Sequence, residues 1–167
     1  KMAACRADRA RAHPLKNAST AVTSPPQRPL HVLAHQRARV LGAGLQRGLL
    51  RGEFVLHYQP QVDLGTGSVV GLEALIRWRH PRLGEVPPAQ FIPLAEETGL
   101  ILPLGRWVLL TACKLLASWQ SDPALSHLTM AVNVSSRQFR HASFVDDVAR
   151  VLAITGAPSA QLKLELT

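Results

Sequence analysis

Gly71-Leu72-Glu73-Ala74-Leu75-Ile76-Arg77-Trp78 is the stretch on which the fold turns. It is apolar except for Glu73 and Arg77. On a helix these two would form an ordinary i,i+4 ion pair worth about 0.3 kcal/mol. On a strand, period two sets Glu73, Leu75 and Arg77 on one face. Val70, Leu72, Ala74, Ile76 and Trp78 share the other, which is wholly apolar and has to pack against something. The charged face then looks into a partly enclosed space, where a charge is costly unless it is used or paired.

Working outward, Phe54–Gln59 reads as a second strand, and Asp63-Leu64-Gly65-Thr66-Gly67 as the turn between the two. So short a link predicts an antiparallel hairpin with a turn, not a phosphate cradle, at its glycines. Pro87-Pro88 opens a helix through Phe91, Leu94 and Ala95 that stops at Gly99. A longer helix is predicted over 104–120 on the stripe Leu104, Trp107, Val108, Leu115 and Trp119. A strand follows at Leu128–Val134. Next comes a helix over 144–154, with Ser143 as N-cap, Asp146 three residues on and Gly156 beyond its end. Leu162–Thr167 reads as one more strand. Strand, helix and strand at these spacings predict parallel strands joined by right-handed crossovers.

The chain has 167 residues, enough for one domain with a real core. It begins at Lys1 and stops at Thr167 in an apolar run, and so reads as a fragment. The net charge of +8 is unevenly spread. Residues 1–51 hold ten Lys/Arg against Asp8 alone, whereas 52–167 are close to neutral. Residues 1–37 read as a disordered or unrelated basic segment, rich in Ala, Arg, Ser, Thr and Pro. The domain is expected over 38–167. Residues 37–51 are weakly helical, interrupted by Gly42, Gly44 and Gly48. No aromatic side chain interleaves the basic ones, so no nucleic-acid partner is expected. Cys5 and Cys113 cannot define a disulfide framework, which suits a cytoplasmic setting. No uninterrupted apolar run reaches the length of a membrane span. The seven histidines show no zinc-binding spacing, and His57 and His80 read as structural.

Three strands share one design. Leu128, Met130, Val132 and Val134 form an apolar face, with Asn133 and Ser135 opposite. Leu162, Leu164 and Leu166 share a face, with Lys163, Glu165 and Thr167 on the other. Glu73 and Arg77 likewise oppose an apolar set. In a parallel barrel such inner faces converge, and function gathers at the C-terminal ends of the strands. Two carboxylates and an amide meeting there suit a hard cation such as Mg²⁺ or Mn²⁺, and Arg77 could clamp a phosphate oxygen. Each residue alone also has a bland role: Asn133 could cap a turn, and Glu73 could pair with Arg77.

Glu73-Ala74-Leu75, within Gly-Leu-Glu-Ala-Leu-Ile-Arg-Trp, resembles the signature of the EAL domain, the bacterial cyclic di-GMP phosphodiesterase. Glu53–Pro60 resembles that family's opening strand and Phe91–Gly99 its first helix. Ala131-Val132-Asn133-Val134-Ser135 and Leu164-Glu165-Leu166-Thr167 are similar to two further motifs, in order. The resemblance implies an α/β fold, a partial (β/α)₈ TIM-like barrel with an antiparallel first strand, cut after about half its length. It implies metal-dependent hydrolysis of cyclic di-GMP to the linear dinucleotide at a two-metal site holding Mg²⁺ or Mn²⁺. Carried over one residue at a time, Glu73, Asn133 and Glu165 resemble metal ligands. Gln59, Leu75 and Arg77 resemble substrate contacts, to guanine or ribose, to the groove wall and to phosphate. Glu96 lies in a matching helix without an implied role. The family's next glutamate, paired aspartates, later lysine and later glutamate fall beyond Thr167, so the chain alone is expected not to hydrolyse cyclic di-GMP. The implied setting is cytoplasmic, with membrane anchoring, a diguanylate cyclase or a sensor domain, and homodimerisation as options of an intact protein. The alternatives are an inactive EAL-type sensor or protein-interaction module, and a non-functional truncated gene product.

Overall fold

The computed structural model describes residues 30–167, with side chains from Val40 onward. Residues 1–29, which hold most of the segment expected to be disordered, lie outside the described residues. The elements run α1 (Leu30–Leu50), β1 (Phe54–Val62), β2 (Val69–His80), β3 (Gly84–Val86), α2 (Pro88–Thr98), α3 (Ile101–Ser118), β4 (Thr129–Val134), α4 (Ser136–Phe139), α5 (Phe144–Thr155) and β5 (Leu162–Leu166). Helix α1 begins at Leu30, so residues 30–37, expected to be part of the disordered or unrelated segment, are helical. Its three glycines do not break it. Gly44 and Gly48 let it lie against Trp78, since a methyl at 48 would stand 2.9 Å from the indole Nε1.

One five-stranded sheet runs β1-β2-β4-β5, with β3 on β2. β1 and β2 form the expected antiparallel hairpin, Phe54 opposite Trp78 and Gln59 opposite Glu73. Its turn is built on Asp63. One carboxylate oxygen accepts from the Gly65 and Thr66 amides and the Thr66 hydroxyl, at 3.1, 2.8 and 2.9 Å. Those bonds to Thr66 hold the Asp63 carboxyl below the usual carboxylate range. β2, β4 and β5 are parallel, as the crossovers required.

The apolar faces read on β2 and β4 are buried or half-buried except at Val70, whereas on β5 only Leu162 packs on the core and Leu164 and Leu166 are exposed, with no further strand beyond β5 among the described residues. Ala74, Met130 and Val132 pack with Val108, Leu109, Ala112, Cys113 and Leu116 of α3. A second cluster gathers Phe54, Trp78, Val86, Phe91 and Leu104. There the Trp78 ring lies 5.2 Å from that of Phe54, and its Nε1 donates to Glu53 Oε2 at 3.0 Å.

Several boundaries differ from expectation. α3 starts at Ile101 because Pro103 falls in its first turn, where no amide is needed for the ladder. It ends at Ser118, followed by a 3-10 turn at Trp119–Ser121. By length and composition Ile101–Ser121 is apolar enough to cross a membrane. Arg106 and Lys114 divide it, so it contains no uninterrupted apolar run of that length. Its apolar face is nonetheless packed on the sheet, as expected of a core helix. Ser143 precedes α5 but its side chain caps no amide; its hydroxyl donates instead to Asp147 Oδ2 at 2.9 Å.

Candidate functional site

Register decides which side chains meet. Glu73 lies opposite Gln59 on one side and Ala131 on the other. Asn133 lies opposite Glu165, one side-chain step further towards the C-terminal ends. In the same sheet Leu75 faces His57, and Arg77 faces Val55. Gln59, Glu73, Leu75, Arg77, Asn133 and Glu165 therefore all lie on the face away from the helices. All six residues singled out in the sequence share one surface.

The tightest contact there joins the two expected ligands of β2 and β4. Asn133 Nδ2 donates to Glu73 Oε1 at 2.6 Å. The amide spends its nitrogen on the carboxylate, which leaves the amide oxygen and the second carboxylate oxygen as acceptors. Both residues, and Glu165 beside them, are half-buried. Glu73 does not pair with Arg77: four residues along a strand span about 13 Å, too far for a same-face ion pair. Arg77 Nη1 donates to its own neighbour's carbonyl, Ile76 O, at 2.9 Å. Its Nε lies 3.8 Å from Glu85 Oε1 on β3.

A break in the sheet shapes the cavity beside these groups. β2 pairs with β4 only through Ala74 and with β3 only from Trp78. Between them a hollow of about 220 Å³ opens, bounded by Arg77, Asn133, Ser135, Gln138 and Thr167 and by apolar side chains of α2 and α3. No carboxylate lines it; Glu73 and Glu165 lie outside its wall. The site is thus divided into an acidic shelf on the strand face and a cationic, mostly apolar hollow next to it.

Ser135 and Gln138 were not singled out as a pair, although the S-x-x-Q spacing signals a capping box. Gln138 N donates to Ser135 Oγ at 3.2 Å, and Ser135 N donates to Gln138 Oε1 at 3.1 Å. Both side chains are buried. The box fixes the point where β4 leaves the sheet, two residues after Asn133. Cys113 offers no nucleophile: it is buried in α3, and burial pushes its thiol up to about 11.

The donor set on the shelf is all oxygen, which fits a hard divalent cation. Mg²⁺ commonly takes one or two carboxylates and completes its shell with water and substrate phosphate. Among the described residues no three His, Cys, Asp or Glu side chains gather into one cluster. Two carboxylates and an amide would fill only part of such a cation's coordination shell.

The model of the EAL domain matches residues 43–167. The chain belongs to the EAL domain family. MucR of Pseudomonas aeruginosa, a bifunctional diguanylate cyclase/cyclic di-GMP phosphodiesterase, is 45% identical over 123 residues, covering 74% of this chain and 18% of MucR. The cyclic di-GMP phosphodiesterase PA2567 of the same organism is 43% identical over 135 residues, 80% of this chain and 23% of the relative. The solved MucR phosphodiesterase in complex with c-di-GMP superposes with a TM-score of 0.72 at 42% identity, over 75% of this chain and 50% of that one. The chain thus spans half of that solved structure and under a quarter of the curated relatives. It is the N-terminal part of an EAL domain, and its α/β sheet is part of a TIM barrel.

Proposed function

We propose that this EAL domain portion carries the first part of a cyclic di-GMP phosphodiesterase site. The observation that supports the reading best is the 2.6 Å bond from Asn133 to Glu73, with Glu165 alongside Asn133 in register. It gathers three oxygen-bearing side chains from three strands onto one shelf. Glu73, Asn133 and Glu165 would hold the divalent cation, Mg²⁺ or Mn²⁺. When bound, such a cation supplies an acidified water and neutralises charge at the phosphodiester.

The chain's own residues divide the remaining work. Arg77 orients a non-bridging phosphate oxygen once its guanidinium leaves Glu85, a partner too exposed to hold it strongly. Gln59, opposite Glu73, is placed to contact the ribose or guanine of the same ligand. Leu75 forms the apolar floor between shelf and hollow, where it keeps water from the base. Asn133, by donating to Glu73, keeps that carboxylate turned inward.

A two-metal displacement needs more donors than two carboxylates and an amide. We therefore expect this chain to bind cyclic di-GMP with Mg²⁺ or Mn²⁺ present and not to turn it over. The test is paired: calorimetric binding, and chromatographic assay for the linear dinucleotide. Binding weakened at least tenfold by Glu73→Ala, without product, supports the reading. Turnover that Glu73→Ala abolishes would show the shelf to be sufficient alone. Binding indifferent to Glu73→Ala would overturn the site. Binding of cyclic di-GMP that is as tight without the divalent cation as with it would instead favour the non-hydrolytic sensor, the second reading.

A further inference from the structure

A capping box needs only an acceptor at its fourth position, and glutamate serves as well as glutamine. Here the position holds Gln138. Its Oε1 is spent on the Ser135 amide. Its Nε2 donates to nothing among the described residues, although Gln138 is only 6% exposed. Every fully enclosed side-chain nitrogen and oxygen among the described residues has a partner. The Nε2 must therefore keep open surface; Gln138 lines both the hollow beside Arg77 and Asn133 and a smaller space of about 50 Å³ beside Arg106 and Asp147.

The neighbouring helix makes room for this amide. Position 105 of α3 is glycine, and a methyl there would fall on Gln138 Nε2. Gly105 itself lines the hollow, so the nitrogen end of the side chain stands at the cavity wall.

The hollow says what this donor meets. At about 220 Å³ it is below the 300–1,000 Å³ of sites that take a whole drug-sized ligand, so it receives one arm of a larger molecule. Its walls are mainly apolar, from Leu75, Ile92, Ile101 and Leu104, and no carboxylate competes for the amide. An apolar slot with one fixed N–H donor suits a flat heteroaromatic ring bearing a carbonyl. We infer that Gln138 is a specificity residue whose Nε2 donates to the carbonyl of a 6-oxopurine in this hollow, excluding 6-aminopurines.

The inference rests on the cyclic di-GMP reading and deepens it. The experiment titrates the wild-type chain and Gln138→Glu with cyclic di-GMP, cyclic di-IMP and cyclic di-AMP, with Mg²⁺ present. Gln138→Glu keeps the capping-box acceptor and exchanges the donor for a carboxylate oxygen. Wild type should bind cyclic di-GMP and cyclic di-IMP alike and cyclic di-AMP at least tenfold more weakly. The variant should lose about tenfold for both oxopurine ligands, one good hydrogen bond, and hold or gain affinity for cyclic di-AMP. The shared phosphates make cyclic di-AMP the control for added negative charge. Equal losses on all three ligands would assign the amide to phosphate or to structure and overturn the inference, as would no loss at all. Should the variant not fold, wild type alone decides, because equal binding of cyclic di-AMP and cyclic di-IMP refutes it. Failure of wild type to bind any of the three removes the cyclic di-GMP reading and this inference together. Binding with the wrong selectivity removes this inference only.

Discussion

Gly71→Ala tests whether the β2–β4 seam is as tight as its register implies. Gly71 is the first residue of β2 to pair with β4, opposite Thr129. Its backbone is not among those with positive φ, so alanine is conformationally allowed. The obstacle is steric. A methyl at 71 would strike the Thr129 hydroxyl and stand 2.7 Å from the Thr129 carbonyl oxygen. That hydroxyl donates to Val70 O at 3.2 Å and cannot turn away without losing the bond. Overpacking costs about 1–3 kcal/mol, and the lost bond adds about 1 kcal/mol. Removing glycine from the unfolded ensemble returns about 0.5–1 kcal/mol. The net is a destabilisation of about 2 kcal/mol. With a urea dependence of about 2 kcal/mol/M, the midpoint should fall by about 1 M. The cycle with Thr129→Ala sharpens the test. Without the hydroxyl only the carbonyl contact remains, so the double variant should recover about 1 kcal/mol relative to additivity. An unchanged midpoint, or strict additivity, would refute the argument that Thr129 occupies the space of a side chain at 71.

Asp147 contributes a pH-dependent stability. Its carboxyl is held below the usual range, first by the Ser143 hydroxyl and then by Arg106. Its contribution is therefore present above the ordinary carboxylate pKa and lost as pH falls through the lower folded value. Ser143→Ala should lower the urea midpoint at pH 7 and leave it unchanged at pH 2; an equal loss at both would refute the assignment. Cys113, with its thiol near 11, is about one part in a thousand ionised at pH 8. Iodoacetamide should spare it in the native chain and modify it in urea, read by peptide mass; rapid native labelling would contradict its burial.

What could be read without coordinates follows from how local each cause is. The alternation across Val70–Trp78 is a property of nine consecutive residues, and of the apolar side chains it assigns to the packed face Leu72, Ala74, Ile76 and Trp78 join the core, while Val70 at the strand's start is exposed. Gly99 and Gly156 end their helices in left-handed conformation, at φ 76° and 69°, as their positions signalled. The misses have causes elsewhere in the chain. β3 is three residues long and exists because Val86 meets Trp78. α4 is four residues held by the Ser135–Gln138 box. The hydroxyl of Ser143 was claimed by Asp147, which Arg106 also holds from α3. Arg77 met Glu85 rather than Glu73, a choice that depends on β3 folding back along β2.

The same distinction explains how the site is built. Its shelf residues could be named from strand periodicity because a barrel strand presents alternate residues to one face by geometry alone. The hollow could not, because it arises where pairing stops: β4 leaves β2 after Ala74, and β3 joins only at Trp78. A parallel sheet that kept its full register through Arg77 would bury Leu75 and close the space. Ser135 and Gln138 turn the chain from β4 into α4, and Gln138 fits there only because α3 carries no side chain at 105. The Ser135–Gln138 box that follows strand β4 thus also lines the opening beside the acidic shelf. Asn133 stands two residues before that exit, bonded to Glu73. On the proposed reading, Asn133 would serve the phosphodiester from the shelf, and Gln138, just beyond β4, the base in the hollow.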